Sequence, residues 1–296
     1  MILQSSDQTN GISRQVMFGV PVDREVLLTN HKNVHKKRTA KRQRKLVEKI
    51  TFIKPFIKED EKVLLVTKGY SPASTFDKYI IGWFFIFLKR SLFVFTNQRI
   101  FHIPTTPIYS YRNTIAQILY SGCKSIAMKG RSLVVEYAKH AGKEKFFWIA
   151  GKEKKKIREL LKTITQVAKE GEASERTHLC PGCTNALSKD KYICESCGLK
   201  FKTKTATLIF SIIFPGGGYF YTRRYFLGII VALVEIILLA FIGQSLVNIQ
   251  NDVGGSIYLL LISVLVLLVE KTAMIVHTTD FIKEFIPKRR TIGPKR

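Results

Sequence analysis

The chain has 296 residues, with 48 Lys and Arg against 22 Asp and Glu, and a formal net charge of +26. That length supplies two or three modules, and the charge favours anionic partners, either phospholipid headgroups or nucleic acid. Residues 1–10 are polar and lack an apolar run, so no secretory signal peptide is expected there.

Residues 1 to about 30 show no apolar period and are expected to form a mobile tail. A basic block follows, with Lys32, Lys36, Lys37, Arg38, Lys41, Arg42, Arg44 and Lys45. Leu46, Val47 and Ile50 come next at helical spacing, so a short basic helix should close a first segment, 1–60. The plain reading of the block is a solvated face. The functional reading is a patch for anionic membrane lipid, worth ~1 kcal/mol per charge near the surface. Lys36, Lys37, Arg38, Lys41 and Arg42 are the candidate lipid-binding residues. Nucleic acid can use the same charges, but it ranks behind lipid because the C-terminal part reads as membrane.

Residues 61–169 read as one β-rich domain. Short runs rich in Val, Ile, Phe and Tyr predict strands at 62–67, 91–96, 99–103, 115–120, 124–128, 132–137 and 145–149. Thr96-Asn97-Gln98 and His140-Ala141-Gly142 fit as turns. Ile157, Leu160, Leu161, Ile164 and Val167 make the apolar stripe of a helix over 152–169. Strands followed by one such helix predict a β-sandwich or open barrel covered on one side. The run Leu92-Phe93-Val94-Phe95-Thr96-Asn97-Gln98-Arg99-Ile100-Phe101-His102-Ile103 resembles the strand, Thr-Asn-x-Arg, strand hairpin of bacterial pleckstrin-homology-like domains. The resemblance covers roughly a third of the chain. It implies lipid or protein binding without catalysis, and hence a protein partner of unknown identity. The stretch 79–88, flanked by Lys78, Lys89 and Arg90, is shorter than the ~20 apolar residues of a span. It is either a core segment or an interfacial wedge with Trp83 at headgroup level.

A polar linker opens the next segment, 170–204. Cys180-Pro181-Gly182-Cys183 and Cys194-Glu195-Ser196-Cys197 stand ten residues apart. Two such pairs predict a four-thiolate metal site with Cys180, Cys183, Cys194 and Cys197 as ligands, structural Zn2+ being the default ion. Iron accepts the same ligands, and two disulfides would require an oxidising compartment. The pattern resembles the small zinc ribbons carried by prokaryotic membrane proteins, with Thr184 where they often place glycine. Cys123 stands apart and reads as a small buried hydrophobe.

Residues 205–277 read as a membrane domain with apolar stretches at 206–221, 225–242 and 256–276. The last two have the ~20 residues of a span, while Pro215-Gly216-Gly217-Gly218 interrupts the first. Arg223 and Arg224 flank one side of the pair, and Lys283, Lys288, Arg289, Arg290, Lys295 and Arg296 the other. The loop 243–255 has neither Lys nor Arg. The positive-inside rule places both flanks, and with them the soluble modules and the tail 278–296, in the cytoplasm. The first stretch is then re-entrant or interfacial, three full spans being the alternative. The run from Pro215 to Gly228 resembles the Pro-Gly-x-Gly-x-Phe-Tyr signature of small prokaryotic two-span domains, except that Arg223 replaces a glycine. Glu235 and Glu270 lie within the spans, either as pairing partners that hold the helices or as functional groups.

No phosphate loop, His-Glu-x-x-His or serine elbow is present. The fold class expected is a multi-domain α+β membrane protein: a pleckstrin-like β domain with a C-terminal helix, a four-cysteine zinc ribbon and a helical transmembrane hairpin. The function expected is non-enzymatic, in an inner membrane, with binding or scaffolding modules. The alternatives are a transport component using Glu235 and Glu270, or a membrane-tethered nucleic-acid binder.

Overall fold

In the computed structural model the described residues are 15–72, 88–138, 142–165, 175–251 and 254–289. Of these, residues within 1–70, 92–102 and 118–175 form one compact unit, and those within 71–91, 103–117 and 176–296 form a second.

The N-terminal segment of the first unit packs through a few apolar side chains. β1 (Val16–Met17) and β2 (Val20–Pro21) pair antiparallel. α1 (Arg24–Leu27) follows, capped by Asp23, whose Oδ1 accepts from the Val26 N–H at 3.0 Å. Val20, Val22, Leu27 and Leu28 are buried, and Val22 bridges to Val63 at the start of the next strand. Residues 15–30 are therefore not the mobile tail expected from sequence. Their apolar side chains are too few to show a period, yet enough to dock.

α2 (Lys37–Lys49) is the basic helix. It buries Ala40, Gln43, Leu46 and Val47 and turns its charges outward. Gln43 pairs with the backbone of β3 (Val63–Tyr70): its Nε2 donates to Val66 O at 3.0 Å and its Oε1 accepts from Val66 N at 3.1 Å. The buried amide thereby satisfies both of its polar ends.

β4 (Arg90–Thr96), β5 (Arg99–Pro104), β6 (Ile115–Leu119), β7 (Cys123–Lys129), β8 (Ser132–Tyr137) and β9 (Lys143–Phe146) follow, closed by α3 (Lys154–Thr165). β10 (Thr177–Leu179) completes a five-stranded sheet in the order β10-β6-β5-β4-β3, while β7-β8-β9 form a second, antiparallel sheet. Leu65, Phe93, Phe95 and Ile100 meet Ile126, Leu133, Val135 and Phe146, with Ile157 and Leu161 of α3 completing the core. Each of the seven predicted strands is present, shifted by at most a few residues. Continuous apolar runs such as Leu92–Phe95 are buried on both faces.

The Thr96-Asn97-Gln98-Arg99 turn is a structural staple. Thr96 Oγ1 accepts from the N–H groups of Gln98 and Arg99 at 3.2 and 3.0 Å. Asn97 Oδ1 accepts from Lys62 N at 2.8 Å, and its Nδ2 donates to Asp60 O at 3.0 Å. Arg99 grips the fully buried Glu61 with two bonds, Nε to Oε1 at 2.9 Å and Nη2 to Oε2 at 2.6 Å. The motif that carries the family resemblance thus spends its polar groups inside the fold.

In the second unit, α4 (Lys204–Ile213) and α5 (Gly217–Tyr221) precede α6 (Tyr225–Gln250) and α7 (Ser256–Ile282), which pack against each other. α4 and α5 fold back on themselves. The Thr203 N–H at the start of α4 donates to the Tyr221 hydroxyl at the end of α5, 3.3 Å away, and the Phe210 and Tyr221 rings stack at 5.1 Å. The glycines of the break permit that reversal. Gly216 has φ +63°, and an added Cβ would lie 2.3 Å from Gly228 O. At Gly217 it would lie 2.0 Å from Phe210 O. Arg223, where the resembling motif has glycine, adopts φ +59° all the same. Its guanidinium donates to Lys288 O at 2.8 Å.

Candidate metal centre

The two knuckles are near copies. The Thr184 N–H donates to Cys180 O at 2.9 Å, and the Gly198 N–H donates to Cys194 O at 2.9 Å. Cys180 N donates to Asn185 O at 2.8 Å, and Cys194 N to Leu199 O at 2.9 Å. Each knuckle ends on a left-handed residue, Thr184 at φ 65° and Gly198 at φ 69°. Thr184 therefore takes up the glycine's conformation despite its branched Cβ, at a steric cost.

The four sulfurs converge. All lie within 4.8 Å of one another, with Cys180–Cys197 and Cys183–Cys194 at 3.5 Å. A thiolate tetrahedron with metal–sulfur bonds of ~2.3 Å has edges of ~3.8 Å, so the set fits one ion. None of the five cysteines forms a disulfide. Burial pushes the Cys180 thiol well up, although the Gly182 N–H approaches its sulfur at 3.4 Å. Burial also raises Cys194, but N–H donors from Cys197 and Ser196, together with hydrogen bonds from the Cys183 and Cys197 thiols, bring it down to about 7. A crowded set of sulfurs with backbone donors aimed at it is suited to a cation. Cys123 lies apart, half-buried, with its thiol pushed up to about 12 by burial.

Around the four cysteines, Leu187 and Phe201 form a small apolar bed with Cys180 and Cys194, and Phe285 fills it. Phe285 comes from beyond α7. Its ring lies 5.1 Å from His178 and 5.7 Å from Phe201. The backbone around it joins the ribbon: Lys202 N donates to Ile286 O, and Lys288 N to Lys200 O, both at 2.9 Å. Sequence reasoning placed 278–296 in a basic tail and missed this contact. The available signal was the apolar Phe285-Ile286-Pro287 set among lysines.

A second polar cluster lies between α6 and α7. Glu235, 1% exposed, accepts from the Gly216 N–H at 3.2 Å and pairs with Lys271 Nζ at 2.6 Å. Lys271 Nζ also donates to Ser211 O at 2.8 Å. The pair therefore binds the carbonyl end of α4 and the amide that opens α5, groups that the helix break leaves without intrahelical partners. Glu270 Oε2 is buried with no hydrogen-bond partner among the described residues.

The basic residues divide. Lys36, Lys37, Arg38 and Lys41 are exposed. Arg42 is half-buried, 2.7 Å from the buried Glu153, and so has a partner within the fold. Trp83 and most of its apolar stretch lie outside the described residues. α6 and α7 are each long and apolar enough to cross a membrane. No protein-family profile matches the chain, and no curated protein is similar to it.

Proposed function

We propose that this chain is a non-enzymatic membrane protein, anchored by α6 and α7, that presents a pleckstrin-like β domain and a structural zinc ribbon on the cytoplasmic side of an inner membrane. The observation that carries the reading is the folded-back pair α4–α5. Leu208, Ile209, Ile212 and Ile213 of α4 are exposed, as are Ile229, Leu233 and Ile236 of α6 and Leu261, Leu265 and Leu268 of α7. So much outward apolar surface calls for lipid around it. α4 is ten residues long, or ~15 Å, about half of a ~30 Å hydrocarbon layer. Glu235 and Lys271 supply the polar partners that an irregular break needs at that depth. This supports a re-entrant segment beside two spans, and a structural rather than transport role for Glu235.

Zinc is the ion of choice because four thiolates fill a tetrahedron and leave no open position for chemistry. Lys36, Lys37, Arg38 and Lys41 form the patch offered to anionic lipid, while the β domain is a surface for a protein partner. The test is amine footprinting of the full protein in nanodiscs. Lys36, Lys37 and Lys41 should be protected in anionic lipid and react freely in neutral lipid or high salt. Equal reactivity in all three conditions would remove the lipid contact. Topology is tested with an impermeant thiol reagent: a cysteine at position 248 should react from outside, and one at position 294 should not. Reaction of the latter would favour three spans.

A further inference from the structure

We infer that the segment 283–288 is a strap whose attachment depends on metal occupancy of the ribbon, so that the metal controls the far end of α7. This rests on reading the four-cysteine cluster as a metal centre. Three observations carry it. The strap is tied to the ribbon through backbone: the Lys202 to Ile286 and Lys288 to Lys200 hydrogen bonds flank a Phe201–Pro287 bridge. Its aromatic side chain, Phe285, belongs to the buried cluster that contains Cys180 and Cys194 with Leu187 and Phe201, and against which Cys183 packs. Finally, Phe285 sits at φ 54°, a left-handed conformation that a bulky residue adopts only when its surroundings impose it.

A ribbon of this size has almost no core besides its metal, and metal binding is coupled to its folding. Loss of the ion frees the two knuckles, and with them the floor beneath Phe285. On that side the strap then keeps only its turn bonds, Glu284 N–H to Phe281 O and Phe285 N–H to Ile282 O, to hold an unfavourable left-handed conformation. The strap also reaches the start of α6. Glu284 lies 4.0 Å from the buried Arg224, and Lys288 O accepts from Arg223 at 2.8 Å. Arg224 in turn packs over the Phe281 ring, 4.1 Å from its centroid, in the last turn of α7. The strap therefore links metal occupancy to the polar junction at one end of the α6–α7 pair. Because the coupling is reciprocal, weakening the strap must weaken metal retention.

The experiment uses full-length protein in nanodiscs, zinc-loaded or stripped by a chelator. Zinc content is measured first. Hydrogen exchange at Lys202 and Lys288 should be at least ~10-fold faster in the stripped protein, with residues 229–240 of α6 unchanged; coupling between sites is typically ~5- to 150-fold. Phe285→Ala, which keeps all four cysteines, should release zinc to a competing chelator at least ~10-fold faster, and Phe285→Leu should restore most of that loss. Zinc bound, with exchange at Lys288 indifferent to stripping or with Phe285→Ala releasing zinc at the wild-type rate, overturns the strap alone. Loss of protection throughout α6 on stripping overturns local release. A chain that binds no zinc overturns the metal reading and the strap with it.

Discussion

Replacing Glu235 by Leu removes two contacts at once, the Lys271 ion pair at 2.6 Å and the Gly216 N–H bond at 3.2 Å. Breaking a buried pair typically costs ~3–5 kcal/mol. The Lys271 side chain is 19% exposed and keeps its bond to Ser211 O, which lowers the expected cost of Glu235→Leu to ~2–3 kcal/mol. Lys271→Leu should cost more, ~3–5 kcal/mol, because it strands a carboxylate in the interior. With both residues changed to Leu, neither member of the pair is left behind without the other. The loss should then fall to that of the freed backbone groups, ~1–3 kcal/mol. The coupling energy should therefore be ~2 kcal/mol or more, against the ~0.5 kcal/mol within which independent sites add. Hydrogen exchange over 211–221 in nanodiscs reads this directly: Glu235→Leu should speed it by ~30- to 150-fold, at ~1.4 kcal/mol per tenfold. Glu270→Gln is the comparison: the Glu270 side chain shares a hydrogen bond with Glu235, which a Gln amide can still donate, so exchange should change by less than ~3-fold. Additive single substitutions, or equal effects at Glu235 and Glu270, would refute the claim that this pair holds the helix break.

Arg99→Met leaves the fully buried Glu61 without its charged partner, with only the Thr96 hydroxyl and the Lys58 N–H still donating to it, and should destabilise the β domain by ~3–5 kcal/mol in denaturant titrations. A cost under ~1 kcal/mol would mean that the turn motif is not a staple. Thr184→Gly relieves a left-handed branched residue at φ 65° and should slow zinc release several-fold, from a gain of ~1 kcal/mol; faster release would contradict the strain. Burial lowers Lys156, which donates to the carbonyls of Val26 and Thr29, from 10.5 to about 8. Between these values the unfolded chain binds more protons than the folded one, so the Lys156 contribution to stability should rise with pH through that window. Lys156→Met should abolish that rise, and a stability profile identical to wild type from pH 8 to 10 would sink the assignment.

What was legible in the sequence was local. Strands such as 92–96 could be read because buried apolar runs bounded by turn residues have few other structures open to them. The four-cysteine cluster could be read because Cys-x-x-Cys spacing is itself the geometry of a knuckle. What could not be read depends on residues far apart in the chain. Glu235 meets an amide 19 residues away, and Lys271 a carbonyl 60 residues away, and no period records such a meeting. Phe285 was hidden in the same way, one aromatic among lysines whose bed is made of cysteines about a hundred residues earlier. Thr184 and Arg223 stand where the patterns they resemble place glycine. Both turns form, because the hydrogen bonds of the knuckle and the Arg223–Lys288 contact impose the left-handed backbone.

The central claim is a metal-bearing ribbon joined to a membrane-embedded helix pair, and metal content measured on protein extracted from membranes tests it most directly. Elemental analysis should find one zinc per chain, lost on Cys180→Ser with Cys194→Ser, while the protein remains in the membrane fraction after alkaline extraction. Protein that is metal-free with its ribbon cysteines in disulfides, or that leaves the membrane at alkaline pH, would contradict the account.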